Sequence, residues 1–488
     1  MARPKGARWS VVVAGLVLVT GCVPPAPEPV VTGPQPAGEC AAVLDPEASF
    51  SAGAPGLCDS YYPQAGNGGY DVADYHLDLT YDPRTKTLHG VATITATATA
   101  NLSSFNLDFV GPEIESVEVD GRQAAAEERD GELVVTPATP IPTGTSFTTV
   151  VRYGGKPRGY PEASGASTGF LVTDDGAIAL GQPQSAAAWF PVNDHPRDKA
   201  TYTIAITAPS DLAALSNGVL TSTEDADRAG FTTWTWRESS PMAPYLATMV
   251  VGDYRVHEST HDGRPVILGV HASLPESVDT QLSRTAEVVD YLQTVFGPYP
   301  FDALGGIVVN ASIGYALETQ ARPVYAPSFF RTGDASWVIA HELAHQWFGD
   351  SVAIHDWREI WLNEGFATYA EWLWSEHTAS ASVQETFDMW YGMFDQRSTF
   401  WEVTPGDPGK QNLFDQAVYI RGAMTLHALR RTVGDDAFFR ILPEWASRKQ
   451  DSTATTAEFI ALAEEISGQE LDQLFQDWLY TPRRPPRP

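Results

Sequence analysis

The stretch Trp337-Val338-Ile339-Ala340-His341-Glu342-Leu343-Ala344-His345-Gln346-Trp347-Phe348 decides how this chain is read. Two His four residues apart can face one metal only on a helix, where four residues make about one turn. The apolar flanks predict a buried helix, with small Ala340 and Ala344 leaving room beside His341 and His345. Glu342 is turned about 100° from His341, off the ligand direction but within reach of a water on the metal. A catalytic zinc takes three protein ligands and keeps one position open. Glu364, in Trp361-Leu362-Asn363-Glu364-Gly365-Phe366, follows His345 after an 18-residue gap, residues 346–363. Phe366, Tyr369, Ala370 and Leu373 then recur at helical spacing, so Glu364 comes from a second packed helix. His341, His345 and Glu364 make a ligand set for one Zn2+ per chain, and with a water this is zinc hydrolase chemistry. Glu371, two turns further on, is either an acceptor behind a ligand His or a solvated helix Glu.

The same pattern occurs at His257-Glu258-Ser259-Thr260-His261. There it follows an apolar β run, Ser259 and Thr260 form helix poorly, and Asp262-Gly263 signals a turn. Thr280 stands where a third ligand would be needed. This reads as a strand end carrying two solvated His.

Around these motifs the pattern changes twice. From about Tyr70 apolar residues alternate, as in Tyr75, Leu77, Leu79 and Tyr81, with turns at Asp82-Pro83 and Asp130-Gly131. From about residue 276 the period is helical, with a stop at Gly297-Pro298 and a capping box at Thr455–Glu458. The expectation is an α+β chain: an antiparallel β domain over 66–258, a mainly helical catalytic domain over 259–480, and a disordered tail over 481–488.

With 488 residues, 43% of them apolar, the chain can bury more than one core. A charged fraction of only 19% excludes a mainly disordered chain or a long coiled coil. The net charge of -30 opposes phosphate backbones, so no nucleic-acid partner is expected. Arg3, Lys5 and Arg8 precede an apolar run too short to span a bilayer, which ends at Val19-Thr20-Gly21-Cys22. This end resembles a bacterial lipobox. It implies a signal peptide over 1–21, lipidation of Cys22, and export to the outer face of a cell membrane; an ordinary secretory signal is the alternative. Residues 22–65 read as a Pro-rich tether. In an oxidising compartment Cys40 pairs most simply with Cys58, two free thiols being the alternative.

The second pattern, its 18-residue gap and Asn363-Glu364-Gly365 resemble the zinc aminopeptidases related to aminopeptidase N and leukotriene hydrolase. Phe190-Pro191 through Lys199-Ala200 is similar to that family's stretch at the β-domain boundary, and Tyr419-Ile420-Arg421-Gly422 to its Tyr-x-Lys-Gly element, with Arg for Lys. The resemblance covers about residues 66 to 480. It implies an N-terminal β saddle, a thermolysin-like catalytic domain, Glu342 as general base and Tyr419 as donor to the oxyanion. Tyr315-Ala316-Leu317-Glu318-Thr319 aligns with Gly-x-Met-Glu-Asn and retains the Glu, implying that Glu318 binds the substrate's α-amine. Gln182, nine residues before Pro191, takes the second amine position, with Gln184 a less favoured register. Only 69 residues follow Tyr419, which implies a chain without the family's large C-terminal helical domain and with a more open site. The implied partners are peptides with a free N-terminus. The rivals are an open-site endopeptidase of thermolysin type, which would not need Glu318, and a non-catalytic surface binding module. The oligomeric state is not readable.

Overall fold

Alternating apolar residues along the first half of the chain become sheet. The computed structural model describes residues 49–488 apart from 158, 162–166 and 332. The expected signal peptide, Cys22 and Cys40 lie outside the described residues. Tyr75, Leu77, Leu79 and Tyr81 all point to the buried face of strand Tyr70–Asp82. Among the described residues this strand is part of an eight-stranded sheet with Thr87–Ala98, Ser146–Gly155, Glu113–Val119 and Arg122–Gln123 on one side, and Ala200–Pro209, Phe231–Met242 and Val219–Asp225 on the other. The domain is not wholly antiparallel, because Tyr70–Asp82 and Ala200–Pro209 pair in parallel. The Asp130-Gly131 turn is a tight hairpin with positive φ at both residues.

Three boundaries differ from the sequence reading. The tether does not extend to residue 65: Ser51–Ala52 pairs with Leu102–Asp108, and Asp59, Tyr62 and Ala65 are buried. Asp59 accepts from the backbone N–H groups of Tyr61, Tyr62 and Trp357, which holds a Pro- and Gly-containing segment in place. The domain boundary falls near Asp253 rather than after residue 258. Met249–Gly252 closes a sheet of the β domain, whereas Tyr254–His261 pairs with Arg264–His271 in the next sheet, continued by Leu304–Val308, Val324–Tyr325 and the edge strand Ala316–Leu317. The tail is docked: Arg484 lies 3.9 Å over the Tyr391 ring, and Tyr391 Oη donates to Pro485 O at 2.8 Å.

The helices that carry the site follow: α1 Ser277–Leu282, α2 Thr285–Phe296, α3 Ser336–Ala344, α4 Trp361–His377, α5 Val383–Met393, α6 Gln416–Val433, α7 Asp435–Arg448 and α8 Thr456–Ser467. Gly297 stops α2 at φ 91°. Thr455 and Glu458 form the expected capping box of α8, which Gly468 ends in the left-handed region. Helices α4 and α6 cross with backbone against backbone. A Cβ on Gly365 would lie 3.0 Å from Gly422 Cα, and one on Gly422 would lie 2.9 Å from Gly365 Cα.

That crossing generates a stability prediction. Helix propensity favours Gly365→Ala by about 0.8–1.0 kcal/mol. The new methyl meets backbone that cannot rotate away, however, and overpacking costs about 1–3 kcal/mol. Gly365→Ala should therefore melt at lower temperature than the wild type and bind zinc more weakly, since Glu364 is its neighbour. A melting temperature equal to or above that of the wild type would mean that the two helices part freely.

Candidate active site

Helix α3 presents His341 in its last turn, and His345 caps it. The side-chain environment fixes both ring tautomers. His345 Nδ1 faces Phe348 O at 3.1 Å, and a carbonyl only accepts, so Nδ1 carries the hydrogen. His341 Nδ1 faces the Glu371 carboxylate at 2.7 Å and donates likewise. Glu371 is thus an acceptor behind a ligand, the first of its two sequence readings. Both Nε2 lone pairs are left pointing into one buried space, 3.2 Å apart. Glu364, from the first turn of α4, adds Oε2 at 3.4 Å from each.

Two lone pairs and a carboxylate oxygen so placed repel one another unless a cation lies between them. Ligands about 2.0–2.1 Å from a tetrahedral zinc stand about 3.3–3.4 Å apart, the separation of Glu364 from each His and close to the 3.2 Å between the two His. The electrostatics agree. Burial opposes a charge on Glu364, yet the two imidazoles hold its carboxyl down at about 2. Burial likewise opposes protonation of His345, yet Glu364 and Glu318 raise it to about 9. The space between these side chains calls for positive charge, and the donor set fits Zn2+.

Glu342 is buried one residue along from His341, and burial pushes its carboxyl up to about 8. One oxygen each of Glu318 and Glu342 and a ring nitrogen of His345 lie within 4.8 Å of one another. Glu318 follows the edge strand Ala316–Leu317, and burial raises its pKa. Gln182 Nε2 donates to Glu318 Oε1 at 2.9 Å, so the structure brings together the two expected amine contacts. The Tyr419 ring, from the first turn of α6, stacks on His341 with centroids 6.0 Å apart. Burial and the nearby Glu364 keep its phenol protonated, hence a donor.

Two groups escaped the sequence reading. Gln346 Nε2 donates to Glu318 O at 3.1 Å, while its Oε1 accepts from Ala321 N at 2.7 Å, clamping the edge strand onto α3. Only its place directly after His345 could have hinted at this. Tyr245, in a short turn of the β domain, is buried with its hydroxyl donating to Gly349 O at 3.4 Å, near enough to Glu318 to act on its charge, and no local pattern marks it. The other pattern behaves as expected for a strand: His257 and His261 sit in Tyr254–His261 and bond Asp279 and Asp290, each at 2.7 Å.

A buried His2Glu triad with an unligated carboxylate beside it defines a single-zinc metallohydrolase. Known proteins narrow the class. Residues 72–246 match the Peptidase M1 N-terminal domain and residues 281–478 the Peptidase family M1 domain. The crystal structure of the M1 zinc metallopeptidase from Deinococcus radiodurans is similar at a TM-score of 0.80 and 30% identity, covering 89% of this chain and 98% of that one. A mutant of that protein bound to a Tyr-Ser-Ala substrate gives 0.80 and 29%, over 88% and 99% of the two chains. Aminopeptidase M1 of Arabidopsis thaliana is 28% identical over 327 residues, 62% of this chain and 36% of that protein. Human glutamyl aminopeptidase is 28% identical over 322 residues, 61% of this chain and 33% of that protein. The chain thus spans about a third of the length of these curated relatives. It belongs to peptidase family M1.

Metal binding and turnover should separate by mutation. Glu371→Ala removes the acceptor behind His341 and should weaken zinc binding about 10–100-fold. Glu342→Gln should keep zinc and lose nearly all turnover. Metal content and peptide hydrolysis measured on both variants check this; a zinc-free Glu342→Gln protein would make Glu342 a ligand rather than a base.

Proposed function

We propose that the protein is a zinc aminopeptidase that removes residues one at a time from the free N-termini of peptides. The observation that carries this is buried Glu318, hydrogen-bonded by half-buried Gln182 and lying beside the metal ligands. Zinc held by His341, His345 and Glu364 supplies a Lewis acid that acidifies water and polarises a carbonyl oxygen. Glu318 takes the substrate ammonium, with the Gln182 carbonyl oxygen as a second acceptor. This fixes the scissile bond one residue in from the N-terminus. Glu342 accepts the proton of the attacking water on its carboxylate and delivers it to the leaving amine. Tyr419 donates its phenolic hydrogen to the carbonyl oxygen as charge develops there. The curated relatives named aminopeptidases support this reading, as do two similar structures of a two-domain M1 zinc metallopeptidase mutant, one bound to L-arginine and one to L-tryptophan.

The thermolysin-type endopeptidase shares the zinc groups but has no use for a buried carboxylate at Glu318. A substrate with a blocked amine would leave that charge desolvated and unpaired, at a cost of several kcal/mol. Free-amine peptides should therefore be cleaved, and N-acetylated ones barely or not at all. Glu318→Ala should lose most activity on amino-acid amides while keeping zinc. Tyr419→Phe should lower kcat about a hundredfold, or about 3 kcal/mol, with a small change in KM. Efficient internal cleavage of an N-acetylated peptide by the wild type would favour the endopeptidase.

Export and anchoring through a lipidated Cys22 complete the proposal, supported by the basic, apolar and Gly21-Cys22 sequence of the first 22 residues. Among the described residues no helix is long and apolar enough to cross a membrane. Cys22→Ala should move the protein from the membrane pellet to the soluble fraction. A variant that still pellets after a salt wash would end the lipid-anchor reading.

A further inference from the structure

The cleft has a direction. Its amine end is at Glu318 and Gln182, close to His345 and Glu342. His341, outside that cluster, is one turn nearer the N-terminus of α3, with Glu371 on its Nδ1 and the Tyr419 ring stacked on it. A chain whose ammonium sits at Glu318 and whose first carbonyl reaches the metal position thus leaves past His341, along α3 toward its N-terminus.

Trp337 stands there. It is one helical turn before His341, as His341 is one turn before His345, each step rising about 6 Å along the axis. Most of α3 is buried, but Trp337 is 44% exposed. Its ring meets Phe329 edge-on, with centroids 5.7 Å apart. The edge strand gives the same direction independently. Ala326 N donates to Tyr315 O, so the turn Pro327–Phe330 that carries Phe329 leaves from the end of the edge strand away from Glu318. Helix and strand place one exposed aromatic pair at the far end of the cleft.

We propose that Trp337, backed by Phe329, seats the side chain just after the scissile bond, and that the enzyme favours a large apolar or aromatic residue second from the N-terminus. An indole face left open to water gains by covering apolar area and by offset or edge-on contact with a ring. A glycine in that position offers neither. This inference rests on the aminopeptidase reading, because the direction of the cleft is set by the ammonium at Glu318.

The test compares kcat/KM for Ala-Phe-Ala, Ala-Gly-Ala and alanine amide, which has no second residue. The wild type should favour Phe over Gly at the second position by about tenfold or more, within the range hydrophobic pockets achieve. Trp337→Ala should bring that ratio close to one, and Trp337→Phe should restore most of it. A variant whose three rates fall together with the ratio intact would make Trp337 a structural residue and overturn the proposal. So would a wild type that shows no preference between the two tripeptides while still cleaving alanine amide. Failure on alanine amide and both tripeptides, with cleavage of an N-acetylated peptide, would sink the aminopeptidase reading itself and the inference with it.

Discussion

Three carboxylates and two imidazoles are buried around one small space, and only positive charge allows them to stay there. Glu364 remains ionised against the cost of burial because two imidazoles face it, while burial and neighbouring charge raise Glu318 and Glu342. Removing such a carboxylate from water costs several kcal/mol unless it is paired. Two cations can settle the balance. One is the metal, between ligand atoms already spaced for it. Under the proposed function the other is the substrate's own ammonium, at Glu318 and Gln182. On that proposal the electrostatic demand that makes the metal site would also select the substrate, since an acetylated N-terminus brings no charge to meet it.

Such a cluster persists only if the surrounding backbone cannot spread. Gly365 and Gly422 let α4 and α6 touch, which keeps Glu364 near enough to Tyr419 for its charge to be felt there. Arg421, next to Gly422, donates five hydrogen bonds to the carbonyls of Trp401, Val403, Asp477, Trp478 and Thr481. A lysine has three donors on one nitrogen and could not serve that set, which gives the Arg at this position a physical role. The β domain also contributes. Lys199 Nζ donates to the carbonyls of Asp350 and Ser351, each at 2.8 Å, bracing the turn whose Phe348 carbonyl orients His345. His195 Nδ1 accepts from Arg197 N, so its Nε2 donates to buried Asp59 at 3.2 Å. Asp59 in turn holds Trp357 of the catalytic domain.

The metal ligands and the base were legible because their spacing is local: i, i+4 on one helix, then a second helical run. Glu318 and Gln182 were legible only through resemblance, since nothing in their own neighbourhoods implies that residues 136 apart meet. The strap around Asp59 was hidden by composition. Pro and Gly read as tether, and the bonds that hold the segment come from residues distant in sequence, such as Trp357 and Asp356. The tail misled in the same way, because a basic Pro-rich run reads as solvated until Tyr391 and Trp401 are there to receive Arg484. At Asp253 two consecutive strands join different sheets, and period-two alternation carries no label for the sheet a strand joins.

The two copies of the His-Glu-x-x-His pattern make the same point within one chain. In strand Tyr254–His261 four residues extend about 13 Å. His257 and His261 accordingly reach different carboxylates, Asp279 on α1 and Asp290 on α2. On α3 the same spacing closes to 3.2 Å between Nε2 atoms. Residue types and sequence separations are identical, so neither alone determines the chemistry. What separates them is the preference of the residues between and around the His. Leu343 and Ala344 support a helix that buries its ligands, whereas Ser259 and Thr260, followed by Asp262-Gly263, favour an extended hairpin. Helix formation therefore precedes metal binding in the causal order, and the packing of α4 and α6 that secures α3 is a condition of catalysis as much as of stability.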